Sequence, residues 1–249
     1  MRLEGKIAIV TGAGGGFGAG IAKRFAEEGA RVACIDVDSA AAERVAAEIG
    51  ANALPIRADV GAAAAVEAAV TATRARFGVP HILVTNAGTT HRNKPLLEVT
   101  EEEFDRVFRV NVKSIFHFVR AVAPLMRDQG GGVILNVSST AALRPRPGLT
   151  WYNASKGAAS LASKSLALEL APWQIRVNAL CPVMGATGLL EQFMGVPDTP
   201  ENRARFISTI PLGRMSQASD IAAAALFLAS DEAEFITGVD LPIDGGRTA

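Results

Sequence analysis

Short β-branched apolar runs alternate along the chain with longer alanine-rich stretches that carry charges at helical spacing. The apolar runs predict strands at residues 7–11, 31–35, 53–57, 82–85, 133–137, 176–180 and 239–243. The alanine-rich stretches predict helices at residues 21–28, 40–49, 62–77, 101–127, 152–171 and 218–228. Regular alternation of this kind is typical of right-handed βαβ units. We therefore predict an α/β protein with a doubly wound parallel sheet of about seven strands and helices on both faces.

One long break interrupts the alternation at residues 184–211, where glycines and prolines separate short apolar pieces. A connection of that length inside a compact domain is either disordered or functional. No linker rich in proline or serine occurs elsewhere in the sequence. We therefore expect residues 1–249 to form a single domain, with residues 184–211 as a lid over a substrate site.

Charge and composition argue against several classes of protein. The 25 Lys and Arg residues balance the 25 Asp and Glu residues without any basic run, which disfavours nucleic acid or an anionic membrane as a partner. No apolar stretch approaches the ~20 residues of a membrane span, and the N-terminal apolar run is too short for a signal peptide. Cys34 and Cys181 form no CxxC motif, so we expect buried thiols in a cytoplasmic protein. The three histidines lack ligand spacing, which predicts no metal site.

A glycine-rich loop follows the first predicted strand and leads into a helix. Its sequence is TGAGGGFG, from residue 11 to residue 18. Glycine at Gly12, Gly16 and Gly18 lets the backbone turn sharply and approach a pyrophosphate, whose charge the N–H groups at the helix start can bind. We predict that this loop, including Phe17, binds a dinucleotide.

The type of dinucleotide is predicted from Asp36, which lies at the end of the second predicted strand, 18 residues beyond Gly18. A carboxylate at that position can accept hydrogen bonds from the adenosine ribose hydroxyls and repels a 2′-phosphate. NADP would favour a cation nearby, and neither Gly15 nor Val37 supplies one. The sequence therefore predicts NAD as the cofactor.

The only tyrosine of the chain, Tyr152, is followed four residues later by Lys156 on the same predicted helix, so the phenol and the ammonium share one face. A phenol of ordinary pKa ~10 needs a large downward shift to act as a base near pH 7, and one cation at ~4 Å supplies about that much at an effective dielectric of about 20. We expect Lys156, helped by the positive nicotinamide ring, to make Tyr152 a general acid/base.

A serine lies close to this pair in the predicted fold. Ser139 follows the strand at residues 133–137, where an active-site loop leaves the carboxyl edge of a parallel sheet, and its hydroxyl could bind a substrate oxygen. No GxSxG or SxxK motif is present, and no histidine has a triad-like context, which argues against a serine hydrolase.

Taken together, these residues resemble the short-chain dehydrogenase/reductase family over essentially the entire chain. The joint pattern is the Thr-Gly-xxx-Gly-x-Gly loop, the Tyr-xxx-Lys pair, and the serine thirteen residues before the tyrosine. Other matching segments are Asp59-Val60, Asn86-Ala87-Gly88, Asn111, the segment 176–182 that ends at Pro182, Thr187, residues 211–214 and residues 236–246. Two positions depart from the family pattern. Thr85 replaces the first Asn of the Asn-Asn-Ala-Gly turn, and Val183 replaces the glycine that usually follows Pro182.

The resemblance implies a Rossmann fold and a set of residue roles. Tyr152 would exchange a proton with the substrate oxygen, and Lys156 would bind the nicotinamide ribose and lower the pKa of the tyrosine. Ser139 would polarise the carbonyl, and Asn111 would support a water relay to Lys156. The implied cofactor-binding residues are Gly12, Gly16, Phe17, Gly18, Asp36, Asp59, Val60, Asn86, Ala87, Gly88, Tyr152, Lys156, Pro182 and Thr187.

The expected function is NAD-dependent hydride transfer between the nicotinamide and a secondary alcohol or ketone of small cyclic, aromatic, sugar or hydroxy-acid type. An NADPH-dependent 3-oxoacyl carrier-protein reductase and a non-catalytic nucleotide-sensing protein stay open as alternatives. The resemblance also implies a homotetramer or dimer that uses residues 107–119, residues 155–168 and the C-terminal strand. Pro242 in that strand is consistent with an edge position, because proline cannot donate to a central ladder.

Substrate specificity is expected in residues 89–97, 140–151 and 183–211. Their large apolar side chains include Trp151, Met184, Phe193 and Met194. Cationic or titratable residues nearby are His91, Arg92, Lys94, Arg144 and Arg146. Such a cluster can attract a carboxylate or another anion, so an anionic substrate is a hypothesis at this stage.

Overall fold

The predicted strands form one parallel sheet in the computed structural model, which describes residues 1–185 and 188–249. Within these residues the strands are β1 (Ile7–Thr11), β2 (Arg31–Asp36), β3 (Ala53–Arg57), β4 (Ile82–Thr85), β5 (Gly132–Val137), β6 (Ile175–Pro182) and β7 (Asp240–Ile243). Their order across the sheet is β3-β2-β1-β4-β5-β6-β7. The chain moves outward from β1 to β3 and then returns to place β4 beside β1, so the sheet is doubly wound with its switch point between β1 and β4.

Helices cover both faces of this sheet. They are α1 (Gly16–Glu27), α2 (Ser39–Ile49), α3 (Ala63–Phe77), α4 (Glu101–Phe108), α5 (Ser114–Asp128), α6 (Thr150–Leu170), α7 (Leu190–Met194), α8 (Pro200–Ile207) and α9 (Ala218–Ala229). On one face Phe25 packs in a cluster with apolar residues of α9, and on the other face Phe118 packs with apolar residues of α3 and α6. Both rings are fully buried, and each such burial contributes roughly 1.5–3 kcal/mol. The single Rossmann-like domain with a seven-stranded sheet is confirmed.

Proline lies in both edge strands. Pro242 is in β7, as expected for an edge, and Pro55 is in β3 at the opposite edge. The carbonyl of Ile243 accepts from the N–H of Val183, just after β6, so the backbone of the neighbouring Pro242 faces away from the sheet. In the same way the carbonyl of Asn52 accepts from Val32, which turns Pro55 outward. Neither proline therefore costs the sheet a ladder hydrogen bond.

The long helix predicted at residues 101–127 is wrong in one respect, because it is not a continuous α-helix. A π-helical turn at Arg109–Lys113 separates α4 from α5. Such turns accommodate extra backbone in a helix and are frequent at functional sites. Thr100 begins α4 with a capping box to Glu103, which is the usual signature of a helix start. The π turn contains the buried polar residue Asn111.

The break at residues 184–211 contains two short helices, α7 and α8, and Ala186 and Thr187 lie outside the described residues. Gly195 ends α7 in a left-handed conformation with φ of 74°. The segment is attached to the loop after β4, since the N–H of Asn93 donates to the carbonyl of Gln192 (2.8 Å) and the guanidinium of Arg92 donates to the carbonyl of Gly195 (3.0 Å).

Candidate functional site

A cavity of about 720 Å³ opens at the carboxyl ends of the strands, around the switch point of the sheet. The segment that follows each strand contributes a lining residue. In strand order these residues are Gly12, Val37, Asp59, Asn86, Ser139, Val183 and Arg247. The cavity therefore lies where open α/β sheets bind their ligands.

The glycine loop forms one wall of this cavity through its backbone. Gly12 has φ of 64° and Gly16 has φ of 53°, values that favour glycine. A methyl group on Gly12 would lie 2.8 Å from the amide nitrogen of Asn86, and one on Gly18 would overlap the carbonyl oxygen of Gly12. Gly18 does not line the cavity; it allows α1 to approach the loop. The backbone N–H groups at the start of α1 can bind the pyrophosphate of a dinucleotide.

The loop is fixed by the turn after β4. The side-chain amide of Asn86 donates to the carbonyls of Thr11 (2.8 Å) and Gly12 (3.2 Å). In return the hydroxyl of Thr11 accepts from the backbone N–H groups of Asn86 (2.9 Å) and Ala87 (3.0 Å). These hydrogen bonds join the glycine loop to the turn after β4. The side-chain amide of Asn86 therefore supports the backbone of the loop.

Asp36 lies at the rim of the cavity where β2 ends. Its Oδ2 accepts from the N–H of Gly14 (2.9 Å), and its Oδ1 accepts from the N–H of Asp38 (3.0 Å). Among the described residues no cation forms an ion pair with it. One nearby cation is missing from the sequence reasoning: Arg44 of α2 donates to the carbonyl of Gly14 (2.9 Å) without lining the cavity. The carboxylate fits the ribose hydroxyls of NAD.

Asp59 follows β3 and forms an ion pair with Arg109, the first residue of the π turn, with Oδ2 2.6 Å from Nη1. The hydrogen bond from Arg109 lowers the pKa of the Asp59 carboxyl, and the N–H of Gly61 adds to the effect by donating to Oδ1. Asp59 and Val60 both line the cavity. The pair joins the end of β3 to the helix that carries Asn111.

Tyr152 and Lys156 are buried one turn apart on α6, with the ammonium nitrogen 5.9 Å from the centroid of the phenol ring. The ammonium donates to the carbonyl of Val137 at the end of β5 (2.8 Å). Ser139 follows the same strand, and its hydroxyl accepts from the N–H of Ala141 (3.1 Å). All three predicted catalytic side chains of this group line the one cavity.

The pKa of Tyr152 moves in the direction opposite to the sequence-based expectation. Burial raises it to about 12, while the Ser139 hydroxyl and the charge of Arg146 act in the lowering direction. Burial also lowers the pKa of Lys156 to about 8. The expectation considered the cation at one helical turn and left out the cost of burying an ionised phenol. In these surroundings the neutral phenol is favoured, and the ammonium of Lys156 alone does not lower the pKa of Tyr152 below its ordinary value.

Asn111 lies in the π turn and is 3% exposed. Its amide donates to the carbonyl of Thr89 and to the hydroxyl of Ser155, both at 2.9 Å, and its Oδ1 accepts from the N–H of Thr89 (2.8 Å). It does not line the cavity. A methyl group on Gly88 would lie 3.4 Å from both Asn111 Oδ1 and Lys156 Nζ, so these two polar groups flank the glycine.

The structure describes one of the two cofactor-binding residues predicted at and after the end of β6 and both positions that depart from the family pattern. Pro182 lines the cavity, and Thr187 lies outside the described residues. Val183, in place of the family's glycine, keeps its backbone bonded, because its N–H donates to Ile243 (3.1 Å) and its carbonyl accepts from Ser216 (2.9 Å). The other departure, Thr85, donates to Oδ1 of Asn136 (2.6 Å) and so retains a buried hydrogen bond between β4 and β5.

Side chains of residues 140–215 form the second wall. The ring of Phe193 in α7 meets the ring of Tyr152 edge to face, with centroids 4.9 Å apart. The other apolar lining residues described in this part are Ala141, Leu149, Pro182, Val183, Met184, Leu189, Phe206, Ile210 and Met215. Trp151 is not among them, since its ring packs against Phe104 (5.1 Å between centroids).

Of the cationic and titratable residues that the sequence placed near the substrate, only Arg146 lines the described cavity. Arg146 lines the cavity, whereas Arg144 is exposed outside it and Lys94 pairs with Glu103 (2.7 Å). His91 is fully buried away from the lining. Arg247, which the sequence reasoning missed, lines the cavity because the chain returns to its mouth after β7. Its only sequence signal is its place after the last strand.

The two cysteines lie away from the lining of the cavity. Cys34 and Cys181 are unpaired and buried, as expected, and burial raises the pKa of their thiols to about 12 and about 11. The described residues contain no group of His, Cys, Asp and Glu that could hold a metal ion. None of their helices has the length and apolar character needed to cross a membrane.

Known proteins match the chain over nearly its whole length. The 4-formylbenzenesulfonate dehydrogenase of Comamonas testosteroni is 50% identical over 250 residues, covering 99% of both chains. A 3-ketoacyl-(acyl-carrier-protein) reductase from Brucella melitensis, solved with NADH, superimposes with a TM-score of 0.95 at 50% identity and covers 99% of this chain and 100% of its own. A 7α-hydroxysteroid dehydrogenase, solved with NADH and 7-oxo glycochenodeoxycholic acid, gives 0.92 at 38% identity and covers 98% of this chain and 95% of its own.

The family described as enoyl-(acyl carrier protein) reductase matches residues 12–248, from the glycine loop to the segment after β7. With the sheet order and the cavity at its switch point, this match leaves one conclusion. The chain belongs to the short-chain dehydrogenase/reductase family.

Proposed function

We propose that the protein is an NAD-dependent dehydrogenase that transfers a hydride between the nicotinamide and a secondary alcohol or ketone of cyclic, aromatic, sugar or hydroxy-acid type. The observation that carries the proposal is the presence of Asp36, Ser139, Tyr152 and Lys156 around one cavity. The relatives support it, since one is named as a dehydrogenase of an aromatic substrate and another was solved with NADH and an oxo-steroid.

The residues divide the work as follows. NAD, when bound, accepts or supplies the hydride. The phenol of Tyr152 gives its proton to the carbonyl oxygen in reduction and takes it back in oxidation. The hydroxyl of Ser139 donates to the same oxygen and stabilises the charge that develops there. Lys156, held by the carbonyl of Val137, binds the nicotinamide ribose and favours the ionised phenol during oxidation.

Asn111 is proposed to position this group. Its hydrogen bonds to Thr89 and Ser155 hold the loop after β4 against α6, next to the helical turn that carries Lys156. Its Oδ1, beside Gly88, would support the water relay to the ammonium. The remaining cofactor contacts are assigned to the glycine loop, Asp59 and Val60, the turn of Asn86, Ala87 and Gly88, and Pro182.

A carrier-protein reductase that uses NADPH is the second candidate. The reductase from Brucella melitensis supports the chemistry, yet it was solved with NADH. In this chain Asp36 would repel the 2′-phosphate of NADPH, and no cation replaces it at Gly15 or Val37. NAD and the dehydrogenase reaction are therefore preferred.

Two further features belong to the proposal. Residues 184–211 act as a lid, because Met184, Phe193 and Phe206 line the cavity from this segment. The assembly is a homotetramer or dimer through α5, α6 and the C-terminal strand, where Phe116, Leu161 and Leu168 are exposed. The unpaired buried cysteines favour the cytoplasm. Sedimentation of the purified chain tests the assembly.

The Tyr152→Phe variant tests the catalytic assignment. We expect it to lose at least about 100-fold in kcat for secondary alcohols, the scale of general acid/base catalysis, while the Kd of NADH measured by fluorescence stays within a factor of two to three. The wild type should bind NAD more tightly than NADP in the same assay. Near-native turnover by the variant would overturn the mechanism, and binding of NAD without turnover of any alcohol by the wild type would favour the sensor.

A further inference from the structure

We propose that the substrate carries a carboxylate or sulfonate group, which Arg146 and Arg247 bind at the end of the cavity remote from Asp36. This inference rests on the proposed function, because it names the substrate class of that same site.

Arg146 is held inside the cavity without a carboxylate. Its guanidinium carbon lies 4.4 Å from the centroid of the Phe206 ring, and Nη2 donates to the carbonyl of Phe193 (3.5 Å). No acidic side chain of the described residues forms an ion pair with it. Burial and the charge of Arg247 lower its pKa to about 10, and the charge of Tyr152 acts in the opposite direction. The contacts place both arginines beside the end of α8, because Arg146 lies over Phe206 and Arg247 donates to Thr209, whose hydroxyl donates to the carbonyl of Phe206 (2.7 Å). Phe193 connects Arg146 to the phenol, since its carbonyl accepts from Arg146 and its ring meets that of Tyr152.

Arg247 approaches the same space from the segment after β7. Its guanidinium donates to the carbonyl and the hydroxyl of Thr209. The carboxylate that acts on it, Asp244, already accepts from the N–H groups of Gly246 (3.0 Å) and Thr248 (2.8 Å) and from the Thr248 hydroxyl (2.6 Å). Burial and the charge of Arg144 lower the pKa of Arg247. No carboxylate of the described residues forms an ion pair with this guanidinium, so its charge can act on an anionic ligand in the cavity.

The charges of the lining are separated along the sheet. The lining residues of the described chain include five cations and two carboxylates. Both carboxylates lie at the β3 side of the sheet: Asp36 ends β2, and Asp59 follows β3 and already pairs with Arg109. Arg106 of α4 also lines the cavity and donates to the carbonyl of Thr90 (3.3 Å). Arg146 and Arg247 follow β5 and β7 at the other side. Two like charges held close together and partly out of water are costly unless an anion joins them.

The geometry also limits the shape of that anion. Its carbonyl or hydroxyl carbon must lie at Tyr152, and its charged oxygens at the two guanidinium groups, which bind planar or branched oxyanions well. Leu149, Phe193 and Met215 line the part of the cavity that a substrate body would occupy. An aromatic ring or a short apolar chain between the two polar ends satisfies these contacts.

Calorimetric titration of the purified full-length protein, with no turnover required, tests the anion site. The probes are benzoate and benzenesulfonate, each compared with its neutral amide. We expect at least one anion to bind about tenfold or more tightly than its amide. Arg146→Gln and Arg247→Gln should each remove about tenfold of that preference, and Arg146→Lys should restore part of it. Arg205→Gln is the matched control, because Arg205 is exposed on α8 and outside the lining.

A kinetic arm separates this inference from the proposed function. The wild type should oxidise 4-(1-hydroxyethyl)benzoate with a kcat/KM at least about tenfold higher than that of 4-(1-hydroxyethyl)benzamide, and the two Gln variants should lose the difference mainly in KM. Oxidation of both alcohols at equal rates, with equal binding of anions and amides, would overturn the anion site and leave the dehydrogenase standing. Tight anion binding without oxidation of any alcohol would overturn the function and retain the site.

Discussion

The two walls of the cavity are built in different ways. The wall beside β1 to β4 has its shape fixed by backbone: glycines at left-handed φ, a loop bonded to the Asn86 amide, and turns whose polar groups satisfy one another, with carboxylates at its rim. The wall beside β5 to β7 is made of long side chains on short helices, with two arginines that have no acidic partner within the described residues. A backbone wall tolerates few substitutions, whereas a side-chain wall can change its ligand with a single residue.

This difference corresponds to what each wall binds. A dinucleotide presents the same phosphates and riboses to every enzyme that uses it, and backbone N–H groups suit that constant shape. Substrates differ in size and charge, and side chains supply that variety. Tyr152 and Lys156 lie on α6, and Lys156 approaches Gly88 of the first wall while Tyr152 contacts Phe193 of the second.

The largest expected effect belongs to the backbone wall. In Gly12→Ala the new methyl group would crowd Asn86 and Ala87 at a φ that costs a non-glycine residue about 1–3 kcal/mol. We expect a melting temperature lower by about 5 °C and an affinity for NADH lower by at least about tenfold, measured by thermal unfolding and fluorescence titration. Gly5→Ala is the control, since Gly5 has a similar φ of 73° but nothing lies within 4 Å of its added carbon and it is outside the lining of the cavity. Equal losses in both variants would contradict a wall that depends on the close approach at Gly12.

A second prediction concerns the boundary between the walls and uses the single tyrosine of the chain. The ultraviolet absorbance of tyrosinate reports Tyr152 alone, and in the protein without coenzyme its midpoint should lie at about 12, above the ordinary 10.0. Because the folded-state pKa is raised, stabilisation by the neutral phenol is complete below pH 10 and is lost as pH rises through about 12. The Tyr152→Phe variant should show no such band. A midpoint at or below 10 would mean that Lys156 outweighs burial.

The smallest expected effect belongs to the side-chain wall. Phe193→Ala removes the edge-to-face contact with Tyr152, and such pairs contribute about 0.5–1.5 kcal/mol beyond their burial. We expect KM for an aromatic alcohol to rise by roughly three- to tenfold, with the affinity for NADH unchanged. Met194→Ala is a comparison within α7, because Met194 packs into the buried cluster with Leu190 and Met215 instead of lining the cavity. A change in NADH affinity for Phe193→Ala would show that the walls are not independent.

The sequence predicts those features of the fold and site that depend on residues close together in the chain. The strand at residues 7–11 and its neighbours are predicted well, because a parallel strand buried on both faces is a continuous apolar run with few alternatives. Gly12, Asp36 and Tyr152 are found because their roles depend on short spacings within one loop or helix. The π turn at Arg109–Lys113 leaves no mark on the apolar pattern, since it shifts hydrogen bonds without changing which face is buried.

Features that depend on distant chain segments were missed. Arg247 enters the cavity only because β7 returns the chain to its mouth, and Trp151 leaves it because Phe104, far away in sequence, offers an aromatic partner. The pKa of Tyr152 belongs to the same group, since its burial is produced by Phe193 and other residues that no helical spacing connects to it.

The prolines at the two edges of the sheet have a consequence for how copies of this protein can meet. On its outward side each edge strand lacks the N–H that would continue the ladder at Pro55 and Pro242. A second chain therefore cannot add itself as a regular further strand at either end, which protects a long, apolar, parallel sheet against edge-to-edge polymerisation. Contacts between copies must then be made by side chains, and such contacts can close into an assembly with a fixed number of subunits.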